Sequence, residues 1–197
     1  MKNKIGVWLI IIGCIMILSG MVIVSYNIYV QKMAENTAYK ISAEFENTIS
    51  KKYFKDKLIT EIPKEKMKIT DIDGYEVIGK IFYPRLDIEL PVVDNWDYKK
   101  LKISVCRYSG NLQSGNLIIM AHNYPSSFGK LKRANYGDKV QFEDSFGTVY
   151  SYTVDKIEEI SGDDINKLVK NSYDMTLFTC TYSGRDRIVV RLKRLGS

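Results

Sequence analysis

From residue 5 to residue 26 the chain carries no charged side chain. The stretch Ile5-Gly6-Val7-Trp8-Leu9-Ile10-Ile11-Ile12 through Met21-Val22-Ile23-Val24 is long enough, at ~1.5 Å of helical rise per residue, to cross the hydrocarbon of a bilayer. A secretory leader is the alternative. Its apolar region is shorter and ends at a small-x-small cleavage site, which Gly20-Met21-Val22 does not supply. The run therefore reads as a retained anchor. Lys2 and Lys4 precede it without an acid, so the amino end stays in the cytoplasm and everything after Tyr26 faces outward. The outer flank is mixed (Lys32, Glu35, Lys40, Glu44, Glu46), which makes the charge bias modest.

Residues 27 to 53 keep a helical pattern. Ile41, Phe45 and Ile49 recur at four-residue steps, with Lys40, Glu44 and Glu46 elsewhere on the wheel. This predicts a stalk or docking helix; a membrane-surface helix fits less well, because acids and bases mix on its polar side. The charged stretch 55–68, which contains Pro63, reads as a linker. The expected organisation is a cytoplasmic tip and transmembrane anchor over 1–26, a helical stalk and linker over 27–68, and a compact domain over 69–197.

Within that domain Asp73-Gly74 is a turn signal. Residues 76–82 and 86–93 alternate like two strands joined through Pro84, with Pro91 demoting part of the second to an edge or bulge. A short helical piece follows around 98–101. Asn116-Leu117-Ile118-Ile119-Met120-Ala121, bounded by Gly115, predicts a buried strand that ends on His122-Asn123. Residues 139–142 and 148–154 predict a hairpin, and Ser161 or Asp163 can cap a brief helix over 165–169. Seven or eight short strands, with 14 tyrosines adding β preference, predict a mostly β fold: a closed or nearly closed β-barrel with short helices.

Charge and cysteine content narrow the function classes. The 29 basic and 23 acidic side chains give +6, but the lysines are scattered and form no basic stripe interleaved with aromatics, which argues against a nucleic-acid partner. A basic face near an anionic membrane or cell wall accounts for the charge equally well. Three cysteines are too few for a disulfide framework. Cys14 lies in the apolar run, and Cys106, in Ile103-Ser104-Val105-Cys106, reads as a small buried hydrophobe. A single histidine and no Cys-x-x-Cys argue against a zinc site.

The third cysteine is placed differently. Asp174-Met175-Thr176-Leu177-Phe178-Thr179-Cys180 reads as a strand that delivers Cys180 to its C-terminal end, just before the turn-rich Thr181-Tyr182-Ser183-Gly184. Arg187-Ile188-Val189-Val190-Arg191-Leu192 follows as a second strand, so a hairpin sets Arg187 beside the thiol. The only histidine, His122, likewise stands at the end of an apolar strand. Taken singly, each has a bland reading: a polar strand terminus, a small hydrophobe. Together they supply what thiolate attack on a carbonyl needs: a sulfur, a proton donor for the leaving amine, and positive charge for the oxyanion. Strand parity puts Arg187, Val189 and Arg191 on one face and Ile188, Val190 and Leu192 on the core face. Arg187 is nearest the turn, Arg185 in the turn is the fallback, and Arg191 is too far along. No serine sits in a nucleophile elbow.

Thr176-Leu177-Phe178-Thr179-Cys180 resembles the Thr-Leu-x-Thr-Cys signature of the sortases, cell-wall transpeptidases of Gram-positive bacteria. Ile78-Gly79-Lys80-Ile81 through Pro84-Arg85-Leu86-Asp87-Ile88-Glu89-Leu90-Pro91-Val92 resembles the family's first strands. Gly115-Asn116-Leu117-Ile118-Ile119-Met120-Ala121-His122-Asn123 resembles its histidine strand, and Arg187-Ile188-Val189-Val190 its arginine strand. The likeness runs from about Tyr75 to Arg194, in the family's order. Met120-Ala121 replaces the commoner Ala-Gly, and Tyr83 and Arg85 replace the usual isoleucine and lysine.

The resemblance implies a sortase-like barrel and a two-step acyl transfer. Cys180 would attack the Thr–Gly carbonyl of a Leu-Pro-x-Thr-Gly-like sorting signal on a secreted protein. His122 would protonate the departing amine, and Arg187 would hold substrate and oxyanion. An amine of a peptidoglycan precursor would resolve the thioacyl intermediate. Asn123, Thr179 and Val189 are expected to contact substrate. No cofactor or metal is implied; calcium stimulation is left unassigned, because Glu143, Asp144, Glu158, Glu159, Asp163 and Asp164 are scattered. The 160–173 connection is short and no amino-terminal lid segment is visible, which leaves the subclass open. Two other readings stand beside it: a hydrolytic endopeptidase using the same residues with water as acceptor, and a non-catalytic anchored barrel that binds wall or surface proteins and does not need Cys180.

Overall fold

In the computed structural model of the chain, residues 2–56 and 67–196 are described. Lys2–Asp56 form one α-helix, α1, which carries no proline. The segments expected as anchor and stalk are thus two halves of one element, with no break near residue 26. The apolar half stands clear of the rest of the chain, with its large side chains from Val7 to Val24 exposed. Only the second half docks: Ala38, Ile41 and Phe45 are buried, and Ile41 and Phe45 join Ile72 and Val77 in a small core of their own. The predicted four-residue rhythm is that docking face, completed by half-buried Ile49. Most of the predicted linker, residues 57–66, lies outside the described residues.

An ion cluster sits beside this apolar seam. Lys80 is fully buried, and its ammonium meets the carboxylates of Glu46 on α1 and Glu89, the latter at 2.5 Å. Burial alone would lower its pKa; the bonds from Glu46 and Glu89 outweigh that and raise it, so the amine stays charged.

Nine strands follow among the described residues: β1 Thr70–Ile72, β2 Tyr75–Tyr83, β3 Ile88–Val93, β4 Val105–Ser109, β5 Leu117–Met120, β6 Lys139–Asp144, β7 Val149–Ser161, β8 Met175–Cys180 and β9 Asp186–Arg194. Their order is β1-β2-β3-β4-β5-β8-β9-β7-β6, and a β2–β6 pairing shuts the sheet into a ring of eight with β1 as a short hairpin arm. β2 shares one edge between two partners: β1 takes its first residues and β6 takes Gly79 to Phe82. The seam requires glycine, because a Cβ at Gly79 would collide with the Glu143 carbonyl and the Phe142 ring. Pro91 lies where β3 has β2 as partner but not yet β4, which joins only at Val92 and Val93. The missing donor therefore leaves no gap in a ladder. Tyr83 and Arg85, which flank Pro84, clamp the barrel through Asp138, each bond being 2.6 Å.

Two helices border the site. α2, Tyr98–Leu101, is capped by Asp97, whose carboxylate accepts from the backbone of Lys99 and Lys100. α3, Ile165–Val169, is capped by Asp164 rather than by Ser161 or Asp163. The Ser161 hydroxyl instead accepts from Asp163 N within the preceding turn, and the helix covers the expected residues. α3 covers the outer face of the sheet, where Ile118, Ile160, Leu168, Phe178 and Val189 form a second core. The run 117–120 is apolar without alternation because Leu117 and Ile119 fill the barrel while Ile118 packs outside.

Candidate active site

Strand direction brings the three chemistry-bearing residues together. β5 and β8 are parallel neighbours, with Met120 opposite Phe178, so both strands deliver their C-terminal ends to the same rim. One emits His122 and the other ends on Cys180. The β8–β9 hairpin is antiparallel and pairs Cys180 with Arg187. All three line one groove of about 290 Å³.

Hydrogen bonds bracket the two reactive side chains. Thr179 Oγ1 donates to the Ala121 carbonyl at 2.8 Å, and Asn123 Nδ2 donates to the Thr181 carbonyl at 3.2 Å. The residues either side of His122 are thereby tied to those either side of Cys180. Thr179 lines the groove, although its residue is almost wholly buried; Asn123 does not line it. Val189 is buried in the second core with Phe178 and Leu168 and does not line the groove either. So Thr179 and Asn123 hold the frame in this structure, and Val189 supports the floor from behind.

Cys180 is a free, half-buried thiol, whereas Cys106 is fully buried. Burial pushes the Cys106 thiol up to about 12, which leaves it no thiolate at neutral pH. His122 is half-buried, with its ring centroid 4.8 Å from that of Tyr124. Burial, and then the charge of Lys102, lower its pKa below the ordinary 6.5, so the imidazole rests neutral at pH 7. A neutral imidazole can accept the thiol proton and later return it to a leaving group.

Arg187 Nη1 donates to the carbonyls of Gly184 at 3.0 Å and Asp186 at 3.1 Å. Among the described residues its Nε and Nη2 make no hydrogen bond, which leaves donors for a ligand. Gly162 makes room for it: a Cβ there would stand 3.0 Å from Arg187 Nη1 and collide with the Arg185 carbonyl. Arg185 is exposed in the turn and does not line the groove. Arg191 is 2% exposed, and its guanidinium reaches Glu158, Thr176 and the carbonyls of Lys167 and Leu168.

One wall of the groove is aromatic. Trp96 stacks on Tyr108 at 6.0 Å, and Tyr108 meets Phe178 edge-on at 5.4 Å. Tyr98 of α2 adds an exposed ring against Trp96. The opposite wall is aliphatic: Ile160, Ile165 and Leu168 around α3. Sequence reasoning missed the aromatic wall, because its members lie on three separate elements. The only hint was a cluster of large rings, Trp96 and Tyr98, in an otherwise polar connection. Such a slot, with a thiol, an imidazole and a guanidinium at its rim, suits an extended peptide whose carbonyl is to be attacked.

Comparison with known proteins bears on the family and the fold. A family model described as a sortase domain matches residues 81–195. Sortase A of Bacillus anthracis is 28% identical over 115 residues, covering 55% of this chain and 54% of the relative, so the chain matches about half the length of that curated protein. Among solved structures, a sortase D5 transpeptidase of Clostridium perfringens superposes with a TM-score of 0.63 at 21% identity, over 82% of this chain and 99% of that one. Sortase C1 of Streptococcus agalactiae gives 0.57 at 24% identity, over 79% and 90%. At these identities the likeness concerns the fold.

Proposed function

The chain belongs to the sortase family, and on that premise we propose that it is a membrane-anchored cysteine transpeptidase acting outside the cytoplasm. The carrying observation is the strand pairing, parallel β5–β8 and antiparallel β8–β9, which puts His122, Cys180 and Arg187 on one groove. The apolar half of α1 is the anchor, with the amino end and its two lysines, Lys2 and Lys4, in the cytoplasm.

The reaction follows from the protonation states. His122, neutral at rest, takes the proton from Cys180 Sγ, and the thiolate adds to the Thr–Gly carbonyl of a Leu-Pro-x-Thr-Gly-like sorting signal. The free donors of Arg187 stabilise the oxyanion. Collapse breaks the C–N bond, the imidazolium gives its proton to the departing amine, and a thioester remains on Cys180. An amine of a peptidoglycan precursor then attacks the thioester, loses its proton to His122, and releases the thiolate as the new amide forms. The aromatic and aliphatic walls hold the peptide's side chains and keep water from the thioester.

A sorting-signal peptide incubated with and without an amine nucleophile tests this. Mass spectrometry is expected to find the amide product and, when the amine is withheld, an acyl group on Cys180. Cleavage with no amide product at any amine concentration would leave a hydrolytic endopeptidase. Peptide binding without any cleavage would leave a surface-binding barrel.

A further inference from the structure

α1 passes from bilayer to barrel without slack. A ~30 Å hydrocarbon core counted along the helix from Ile5 ends near Tyr26, and the first charge follows at Lys32. Tyr26 and Tyr29 are exposed, where a membrane interface accepts tyrosine. Val30 and Gln31 are already half-buried, and Ala38, Ile41 and Phe45 are buried. Ala34, Glu35 and Ala38 share a narrow crevice with Lys102 and Tyr124. Tyr124 packs on His122, and Leu101, next to Lys102, lines the groove. The part of α1 nearest the membrane therefore docks beside the histidine end of the groove.

The rise sets a height. From Tyr26 to Ala34 the helix climbs about 12 Å at ~1.5 Å per residue. Headgroups occupy roughly 5–8 Å of that, the difference between a ~30 Å hydrocarbon core and a ~40–45 Å bilayer. Raising the barrel would mean pulling Phe45 and Ile41 from their core and separating Lys80 from Glu46. We propose that α1 is a ruler that fixes the groove close above the bilayer, so that the protein selects membrane-tethered peptides by the distance of the scissile bond from the membrane. At ~3.3 Å per extended residue, the reach from the hydrocarbon edge to the groove is about four residues. This inference rests on the anchored-transpeptidase reading above, and its first test does not require turnover.

The test uses the thiols. In a Cys14→Ala background Cys180 is the reactive cysteine, because Cys106 is fully buried. The protein is reconstituted into phosphatidylcholine–phosphatidylglycerol vesicles that carry a headgroup-linked maleimide on a spacer of about 10 Å or about 40 Å. A lifted variant carries seven additional helix-forming residues after Tyr29, which raise the barrel by about 10 Å with nearly the same helical face. The short-spacer lipid is expected to label Cys180 at least ~10-fold faster in the unlifted protein, and the long-spacer lipid to label both alike. Equal labelling by soluble N-ethylmaleimide shows that both grooves are folded. Equal short-spacer labelling of the two proteins, or an unlifted protein that responds only to the long spacer, would overturn the ruler. Should the lifted protein misfold, spacer titration on the unlifted protein alone decides. A second arm offers bilayer-tethered sorting-signal peptides: the lifted protein is expected to require the longer tether. Correct labelling with no cleavage of any peptide removes the transpeptidase reading and leaves the ruler, whereas cleavage indifferent to tether length removes the selection.

Discussion

Arg187 and Arg191 lie four positions apart on the same face of β9, yet they do different things. Arg191 is sealed under α3: Glu158 at 2.9 Å, the Leu168 carbonyl at 2.9 Å, Thr176 at 3.1 Å and the Lys167 carbonyl at 2.7 Å take up its donors. Arg187, four residues nearer the hairpin turn on β9, is half-buried and commits only Nη1. Chemical identity and strand parity are shared; what separates a structural cation from an available one is whether neighbouring carbonyls have already claimed it. The cysteines divide likewise, Cys106 inside the packing and Cys180 at its rim.

The contrast can be broken in order of expected effect. Cys180→Ala should cost at least ~10³-fold in turnover of a sorting-signal peptide, whereas Cys106→Ala should keep kcat within a few-fold. Arg187→Ala should lower kcat/KM by about 10²–10³ with little change in stability, and Arg187→Lys should recover part of it. Arg191→Ala should do the reverse, losing about 2–4 kcal/mol in urea denaturation as the buried cation leaves Glu158 and two carbonyls behind. A mutant pair that failed to separate in this way would erase the distinction drawn from their hydrogen bonds.

The smallest effect concerns His122. As the only histidine, it gives one imidazole NMR titration, whose midpoint is expected below 6.5. Lys102→Gln should move that midpoint up slightly, since the lysine charge is the second cause of the depression. The native imidazole holds its proton less tightly than the unfolded one. Its share of stability is therefore present above pH 6.5 and is lost as pH falls from there through the lowered native pKa. A midpoint at or above 6.5 would contradict the burial of the ring.

Much of this was legible in the chain. The strands bearing His122, Cys180 and Arg187 announce themselves by apolar runs that end at turns, and the docking face of α1 by Ile41, Phe45 and Ile49. Adjacency was not legible. That β5 and β8 run side by side and parallel is a long-range pairing that skips β6 and β7, which no local pattern encodes. The same holds for Lys80, which reads as a surface lysine in an alternating strand until α1 lies over it with Glu46. The α3 cap shifted to Asp164 because the Ser161 oxygen was already engaged. Trp96, Tyr98 and Tyr108 become a wall only once α2 and β4 are folded against β8.

Position 162 carries a consequence beyond its own residue. With Arg187 Nη1 3.0 Å from where a methyl group would start, the cation's resting place is defined by an empty volume as much as by its bonds to the Gly184 and Asp186 carbonyls. Because a Cβ there would also collide with the Arg185 backbone carbonyl, even Gly162→Ala should shift this turn and the guanidinium with it, and bulkier side chains should slow peptide turnover further. A groove residue with no reactive group of its own would serve as a dial on the sulfur's rate.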